Sequence, residues 1–124
     1  AAAQSYQSEY FSRGYYGQAY SQLKLKAYEK ALENYFQFIH FDKGKNVKLI
    51  ADAEQRIGDI YFLQKKYDQS ISYFERAIEI DPFNPRFYYN LSFIYQEKKD
   101  FEFIVWLSVK KTLKINQKIL KMFG

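Results

Sequence analysis

The stretch Ile57-Gly58-Asp59-Ile60-Tyr61 returns as Leu91-Ser92-Phe93-Ile94-Tyr95, one period of 34 residues later. In each copy an aliphatic residue, a small residue and a tyrosine stand at positions i, i+1 and i+4, which share one side of a helix. An apolar side of this kind has to pack against another element. The two stretches therefore predict two similar amphipathic helices in a repeated unit.

The residues after the first stretch complete this unit. Apolar or small side chains recur at three- and four-residue intervals, which predicts a second amphipathic helix. These positions are Tyr67, Ser70, Phe74 and Ala77. The segment between the two helices, Gln64-Lys65-Lys66, is short and polar, and Pro82 cannot continue a helix because it lacks the backbone donor. The predicted unit is helix, turn, helix, stop.

A unit of this period and pattern resembles the tetratricopeptide repeat. Residues 51–84 fit that pattern best, with Glu54 in the place of the family's usual tryptophan. A degenerate repeat follows at residues 85–118, with a C-terminal extension. Its end, Leu113-Lys114-Ile115-Asn116-Gln117, echoes Ile78-Glu79-Ile80-Asp81-Pro82 at a spacing of 35, so one residue is inserted.

A divergent repeat is predicted upstream, at about residues 10–43. Its segment from Tyr28 to Phe36 resembles the segment from Tyr67 to Phe74, 39 residues further on, and Gly17 is a candidate counterpart of Gly58. The resemblance implies a single all-α domain over residues 1–124. The expected fold is a right-handed superhelix of about three antiparallel helix-turn-helix hairpins, with the last helix acting as a cap. A complete array and a fragment of a longer array both fit.

Composition argues against catalysis. Cysteine is absent, which excludes disulfides, thiol nucleophiles and sulfur-ligated metals. His40 is the only histidine, and its place in the aromatic run from Phe36 to Phe41 is typical of a packed or surface residue. The sequence also has no glycine-rich phosphate-binding loop. We therefore expect no enzyme activity, no cofactor and no metal site.

The excess positive charge is concentrated at the C-terminal end. The formal net charge is +5, and the residues from Lys98 onward account for all of it, with seven lysines against the two acids Asp100 and Glu102. Four of the lysines follow one another at i+4, i+4 and i+3 and form a stripe, namely Lys110, Lys114, Lys118 and Lys121. Two interpretations stay open: a solvated face of the capping helix, or a contact with anionic lipid or an acidic partner. Nucleic acid is not expected, since arginine is sparse and no nucleic-acid motif is present.

The resemblance also implies a binding surface. In such arrays the first helix of each hairpin lines a concave groove that holds a peptide or a partner protein. The residues expected to face it are Asp52, Gln55, Arg56, Asp59 and Phe62 in the best repeat, and Arg86, Tyr89, Asn90, Phe93 and Glu97 in the next. A clamp for a terminal carboxylate is not predicted, because Asp59 would repel that ligand. Alternatively, Arg56 and Asp59 pair with each other on the surface.

Two functions follow from these patterns. The first is a non-enzymatic scaffold that binds a peptide or partner protein. Residues 51–61, with Lys66-Tyr67-Asp68 after them, are similar to outer-membrane assembly lipoproteins of the BamD type. This similarity implies the bacterial periplasmic face of the outer membrane rather than the cytoplasm, with peripheral or lipid-anchored attachment through a cysteine before Ala1. The second function is an oligomerisation or docking arm of a larger complex, with the basic C-terminal helix as the contact. The oligomeric state and the identity of the partner stay open.

Overall fold

The computed structural model describes residues 2–123, with side chains described from residue 11 onward. Over this part the chain forms five helices: α1 (Ala2–Lys24), α2 (Tyr28–Asp42), α3 (Val47–Leu63), α4 (Tyr67–Ile80) and α5 (Pro85–Phe123). Helix α1 packs on α2, α3 packs on α4, and α4 packs on the first part of α5. The predicted all-α fold of packed helical hairpins is confirmed.

The turns of the first two hairpins have the same geometry. Lys26 and Lys65 both adopt the left-handed backbone conformation, each with φ of 61°. In the second turn, the Lys65 amide donates to the Phe62 carbonyl and the Lys66 amide donates to the Tyr61 carbonyl, both at 2.9 Å. Helix α4 then ends at Ile80, two residues before Pro82. The short polar turn and the proline stop are both as predicted.

A longer connection joins the first hairpin to the second. Asp42, the last residue of α2, accepts hydrogen bonds from the backbone amide of Asn46 at 2.8 Å and from its side-chain amide at 2.6 Å. Gly44 between them has a φ of 80°, which favours glycine. The buried carboxylate therefore closes the loop and fixes the start of α3.

The core extends from one hairpin to the next. Its largest cluster joins α1, α2 and α3 and consists of Ala19, Ala31, Leu32, Tyr35, Phe38, Ile50, Ala53, Ile57 and Ile60. Two smaller clusters attach α5. Phe87 packs with Ala51 and Ala77, and Ile94 packs with Ile71 and Phe74. The first part of α5 is therefore the first helix of a third repeat.

Helices α3 and α4 are in close contact at Gly58. The Ser70 hydroxyl donates to the Gly58 carbonyl at 2.7 Å, and a Cβ atom on Gly58 would lie 2.6 Å from the Phe74 ring. In the first hairpin this place belongs to Ala19, which is fully buried and precedes α2 by nine residues, as Gly58 precedes α4. The assignment of Gly17 was wrong: Gly17 is exposed, and a Cβ there would have no described neighbour within 4 Å.

The third repeat differs from the expectation. Instead of a hairpin it forms one continuous 39-residue helix, α5. The Gln96 amide donates to the Asp100 carboxylate at 3.2 Å, and Lys98 pairs with Glu102 at 3.8 Å, so side chains one turn apart stabilise the helix where a turn was expected. Side chains from residue 99 to residue 123 are exposed. This segment therefore does not cap the array, because it does not fold back onto it.

Within residues 2–123, α5 and the other helices all lack the combination of length and apolar composition that crossing a bilayer requires.

Candidate functional site

The first helices of the three repeats, α1, α3 and α5, meet through polar and aromatic side chains. The Tyr16 hydroxyl donates to an Asp52 oxygen at 2.5 Å, which joins α1 to α3. The Arg56 guanidinium lies 5.9 Å from the centre of the Tyr20 ring, and an Arg86 nitrogen of α5 lies 3.6 Å from the other Asp52 oxygen. Asp52 thus connects all three helices at one surface.

We call this surface the groove face. On α5 it continues along the side of Arg86, because positions three, four and seven residues further along a helix share that side. Its members are Tyr16, Tyr20, Asp52, Gln55, Arg56, Asp59, Arg86, Tyr89, Asn90 and Phe93.

Charge on the groove face is organised around Asp52. Its carboxylate pairs with the Arg56 Nε at 3.7 Å and with Arg86 at 3.6 Å. These distances are those of ion pairs, not of short hydrogen bonds, and a pair with a half-exposed arginine such as Arg86 stabilises a fold by about 1 kcal/mol or less. Burial and the hydrogen bond to Asp52 raise the pKa of Tyr16. Arg86, whose side chain is half exposed, is therefore the more accessible of the two arginines.

Asp59 is the least compensated acid of the groove face. Burial raises its pKa to about 6, against the opposing effects of Arg56, a hydrogen bond from Gln55, and Arg86. The Gln55 side-chain oxygen and the Arg56 Nε are buried, and neither makes a hydrogen bond within the described structure. The ion pair of Arg56 is with Asp52, one helical turn before it. A ligand that donates an N–H to Asp59 would stabilise its ionised carboxylate, whereas a ligand carboxylate would repel it.

Aromatic rings form one end of the site. The ring centres of Phe62 and Phe93 are 5.6 Å apart, which joins α3 to α5, and Phe62 also contacts Tyr67 of α4 at 5.8 Å. Phe93 is still 51% exposed and Tyr89 is 75% exposed. These two side chains therefore offer apolar surface to a ligand. Glu97 lies one turn beyond Phe93 and is half-buried.

Sequence reasoning missed the contribution of α1, which is made by Tyr16 and Tyr20. The signal was available, since the 39-residue offset between Tyr28 and Tyr67 also maps Tyr16 onto Gln55 and Tyr20 onto Asp59. The assignment of Gly17 shifted the first helix by two residues and hid this correspondence.

The lysine stripe does not contribute to the groove face. Lys110, Lys114, Lys118 and Lys121 are exposed along the second part of α5, beyond the end of α4. The Lys110 ammonium lies 5.0 Å from the centre of the Trp106 ring, a cation–π contact.

Comparisons with known proteins agree with the helical hairpins. A family described as TPR repeat matches residues 58–99. Stress-induced-phosphoprotein 1 of Caenorhabditis elegans is 37% identical over 51 residues, which is 41% of this chain and 16% of that protein. The chain thus spans well under two thirds of the length of this relative. Residues 58–99 thus match the tetratricopeptide repeat, whose general role is protein–protein interaction, and the packed helical hairpins agree with that match.

Proposed function

We propose that this protein is a non-enzymatic scaffold that binds an extended peptide segment of a partner protein on the groove face. One observation carries the proposal. Loosely paired arginines, an under-compensated carboxyl and two exposed aromatic rings lie on the same surface of adjacent helices. Exposed rings beside polar groups are the composition of binding hot spots.

Each part of this surface suits a different part of a peptide. Tyr89 and Phe93 would cover an apolar side chain of the ligand. Arg86 would donate to backbone carbonyls, and Asp59 would accept from a backbone N–H or a cationic side chain. An N–H donor or a cation favours the ionised form of Asp59, so a ligand of this kind binds more tightly as the pH rises through about 6.

The test is binding to an array of immobilised extended peptides. Arg56→Glu and Tyr89→Ala should each reduce binding by about tenfold or more, because both remove groove-face contacts. The circular dichroism spectra of both variants and the melting temperature of Tyr89→Ala should stay close to those of the parent, whereas Arg56→Glu should lower the melting temperature because it places a second carboxylate beside Asp52. Lys30→Glu is the matched control, since this exposed lysine on α2 lies away from the groove face. If all three variants bind the array like the parent protein, the groove face is not the binding surface.

The similarity of residues 51–61 to outer-membrane assembly lipoproteins makes the bacterial envelope a candidate setting for this scaffold. Fractionation of cells that express the full-length gene product tests it, with metabolic labelling by a radioactive fatty acid as a second measurement. Recovery in the outer-membrane fraction with incorporated label supports this setting. An unlabelled product in the soluble cytoplasmic fraction contradicts it.

The lysine stripe supports a separate surface contact. Flotation with vesicles that contain anionic phospholipid should bring up the protein at low salt, whereas vesicles of neutral phospholipid should not. The variant Lys114→Glu/Lys118→Glu should lose this flotation. If the parent protein fails to float with anionic vesicles at low salt, the stripe is a solvated face only.

A further inference from the structure

Helix α5 exposes a side that is covered in the preceding repeat. Tyr88, Ser92 and Tyr95 follow Glu54, Gly58 and Tyr61 by 34 residues. In α3 that side is covered by α4, whose Phe74 and Ser70 contact Gly58. In α5 the same side is open, with Tyr88 46% and Tyr95 48% exposed. The third repeat thus has a first helix without its second.

The missing second helix is present in the sequence, as the outer part of α5. At the 35-residue spacing, Val105, Val109 and Thr112 correspond to Ser70, Phe74 and Ala77, which are all fully buried in α4. In α5 they are exposed, and Val109 and Thr112 line a shallow apolar depression together with Ser108 and Leu113. The surface that closes a hairpin is therefore available but unpaired.

Within one chain these two surfaces cannot meet while α5 is continuous. Ser92 and Val109 are 17 residues apart, which is about 25 Å along a helix at 1.5 Å per residue. Their counterparts Gly58 and Phe74 are in direct contact. A second copy of the chain, aligned antiparallel, is the occupant that offers both surfaces in the required order.

The spacing of the open side supports this occupant. From Tyr88 onward, positions alternating by four and three residues follow one seam along α5, as in a coiled coil. The seam consists of Tyr88, Ser92, Tyr95, Lys99, Glu102, Trp106, Val109, Leu113, Asn116 and Leu120. We propose that two copies of this protein associate through antiparallel α5 helices along this seam, so that each copy completes the third hairpin of the other.

One antiparallel register agrees with the contacts of the closed repeat, with the sizes of the facing side chains and with their charges. Opposite Ser92 it places Val109 of the second copy, the pair that corresponds to Gly58 and Phe74. At the two-fold axis it places Lys99 of each copy opposite Glu102 of the other, which forms two identical ion pairs because a two-fold interface is self-complementary. The same register sets Tyr95 against Trp106 and Tyr88 against Leu113. A small residue, opposite charges and aromatic pairs thus coincide in a single alignment.

The dimer leaves the other surfaces of α5 free. At 100° per residue around the helix axis, the lysines from Lys110 to Lys121 are centred about 120° away from the seam. The groove side of α5 is rotated away from the seam in the same direction, by at least as much. The seam and the groove face therefore use different sides of α5. Peptide binding on the groove face and dimerisation along the seam use different residues, so a variant can lose one and keep the other.

Light scattering on the eluting protein gives the first measurement, and a dimer is the expected result. The arrangement is then tested by an engineered disulfide, which is simple to interpret because residues 1–124 contain no cysteine. Ser92→Cys/Val109→Cys should oxidise to a covalent dimer, since each cysteine faces the other type across the interface. Each single variant is the control and should stay unlinked. A mixture of the two single variants should again yield a covalent dimer.

Charge reversal tests the register. Lys99→Glu and Glu102→Lys each place like charges at the two-fold axis and should weaken the dimer about tenfold or more. The double variant Lys99→Glu/Glu102→Lys should restore the parent affinity. Lys114→Glu, outside the seam, should not weaken it.

Three results would overturn the proposal. A monomer at all accessible concentrations excludes the second copy as occupant. An intramolecular disulfide in the Ser92→Cys/Val109→Cys variant means that the third hairpin closes within one chain. A dimer that is neither cross-linked by this pair nor sensitive to the charge reversals uses a different interface.

Discussion

The hairpin of α3 and α4 and the long helix α5 contain versions of one repeat, yet the first is closed and the second is open. In the closed repeat, Phe74 packs on Gly58 and Lys65 adopts a left-handed backbone at the turn. In the open repeat, Val109 replaces the phenylalanine, and residues 98–100 continue as helix. A left-handed lysine costs about 1 kcal/mol or more, so a hairpin closes only where the burial it gains exceeds that cost. The 34-residue pattern specifies the helices, and this balance specifies whether they pair.

The largest expected effect breaks the closed repeat. Gly58→Leu should destabilise the protein by about 3 kcal/mol or more, because even the Cβ atom would lie 2.6 Å from the Phe74 ring and 3.2 Å from the Ser70 carbonyl. Urea unfolding followed by circular dichroism measures the change. The matched variant in the open repeat is Ser92→Leu, which should alter the stability of the monomer by about 0.5 kcal/mol or less, since Ser92 is exposed. Equal effects at the two positions would contradict the difference between the repeats.

The second effect concerns a buried carboxyl group that only the closed repeat contains. Asp59 of the closed repeat corresponds to the exposed Phe93 of the open repeat. Burial raises the pKa of Asp59 from 3.8 to about 6 in the folded protein. Its protonated form therefore favours the folded state, and this contribution is lost as the pH rises from about 4 through 6. Asp59→Asn should be more stable than the parent at pH 7 by about 1–3 kcal/mol.

The control for this variant is the pH dependence itself. Near pH 4 the parent and Asp59→Asn should have similar free energies of unfolding, because both side chains are then largely neutral. A difference that is constant between pH 4 and pH 7 would show that Asp59 is not the titrating group.

The smallest expected effect concerns the turn. Lys65→Gly should stabilise the protein by about 0.5–1 kcal/mol, because glycine adopts the left-handed conformation without steric cost. Lys99→Gly, at the matching position of α5, should act in the opposite direction and reduce helicity, since glycine in a helix interior costs about 1 kcal/mol. Chemical unfolding and the ellipticity at the helix minimum are the measurements. The same sign for both variants would mean that residues 98–100 also form a turn.

Much of the groove face was predictable from the repeat pattern, and the part that was missed has a simple physical cause. Asp52, Arg56 and Arg86 were assigned to a common surface from the resemblance to tetratricopeptide repeats, with helical periodicity fixing which side chains of each helix share a side. Their mutual ion pairs were not predictable, since those depend on how closely α3 and α5 pack. Tyr16 and Tyr20 were missed because the seam of α1 contains Ala19, whose small size marks the close approach as well as glycine does. The 39-residue offset between Tyr28 and Tyr67 maps Ala19 onto Gly58, but the pattern of a glycine three residues before a tyrosine favoured Gly17.

The sequence by itself determined the helices, their apolar sides and the ends of α2, α3 and α4, because these follow from periodicity, turn residues and Pro82. Tertiary structure decided which sides became covered. Gly58 is buried and Ser92 is exposed, although both occupy the same place in the repeat. The reason is that pairing of two helices depends on the volume and polarity of the residues on both of them, a long-range property that local periodicity does not contain.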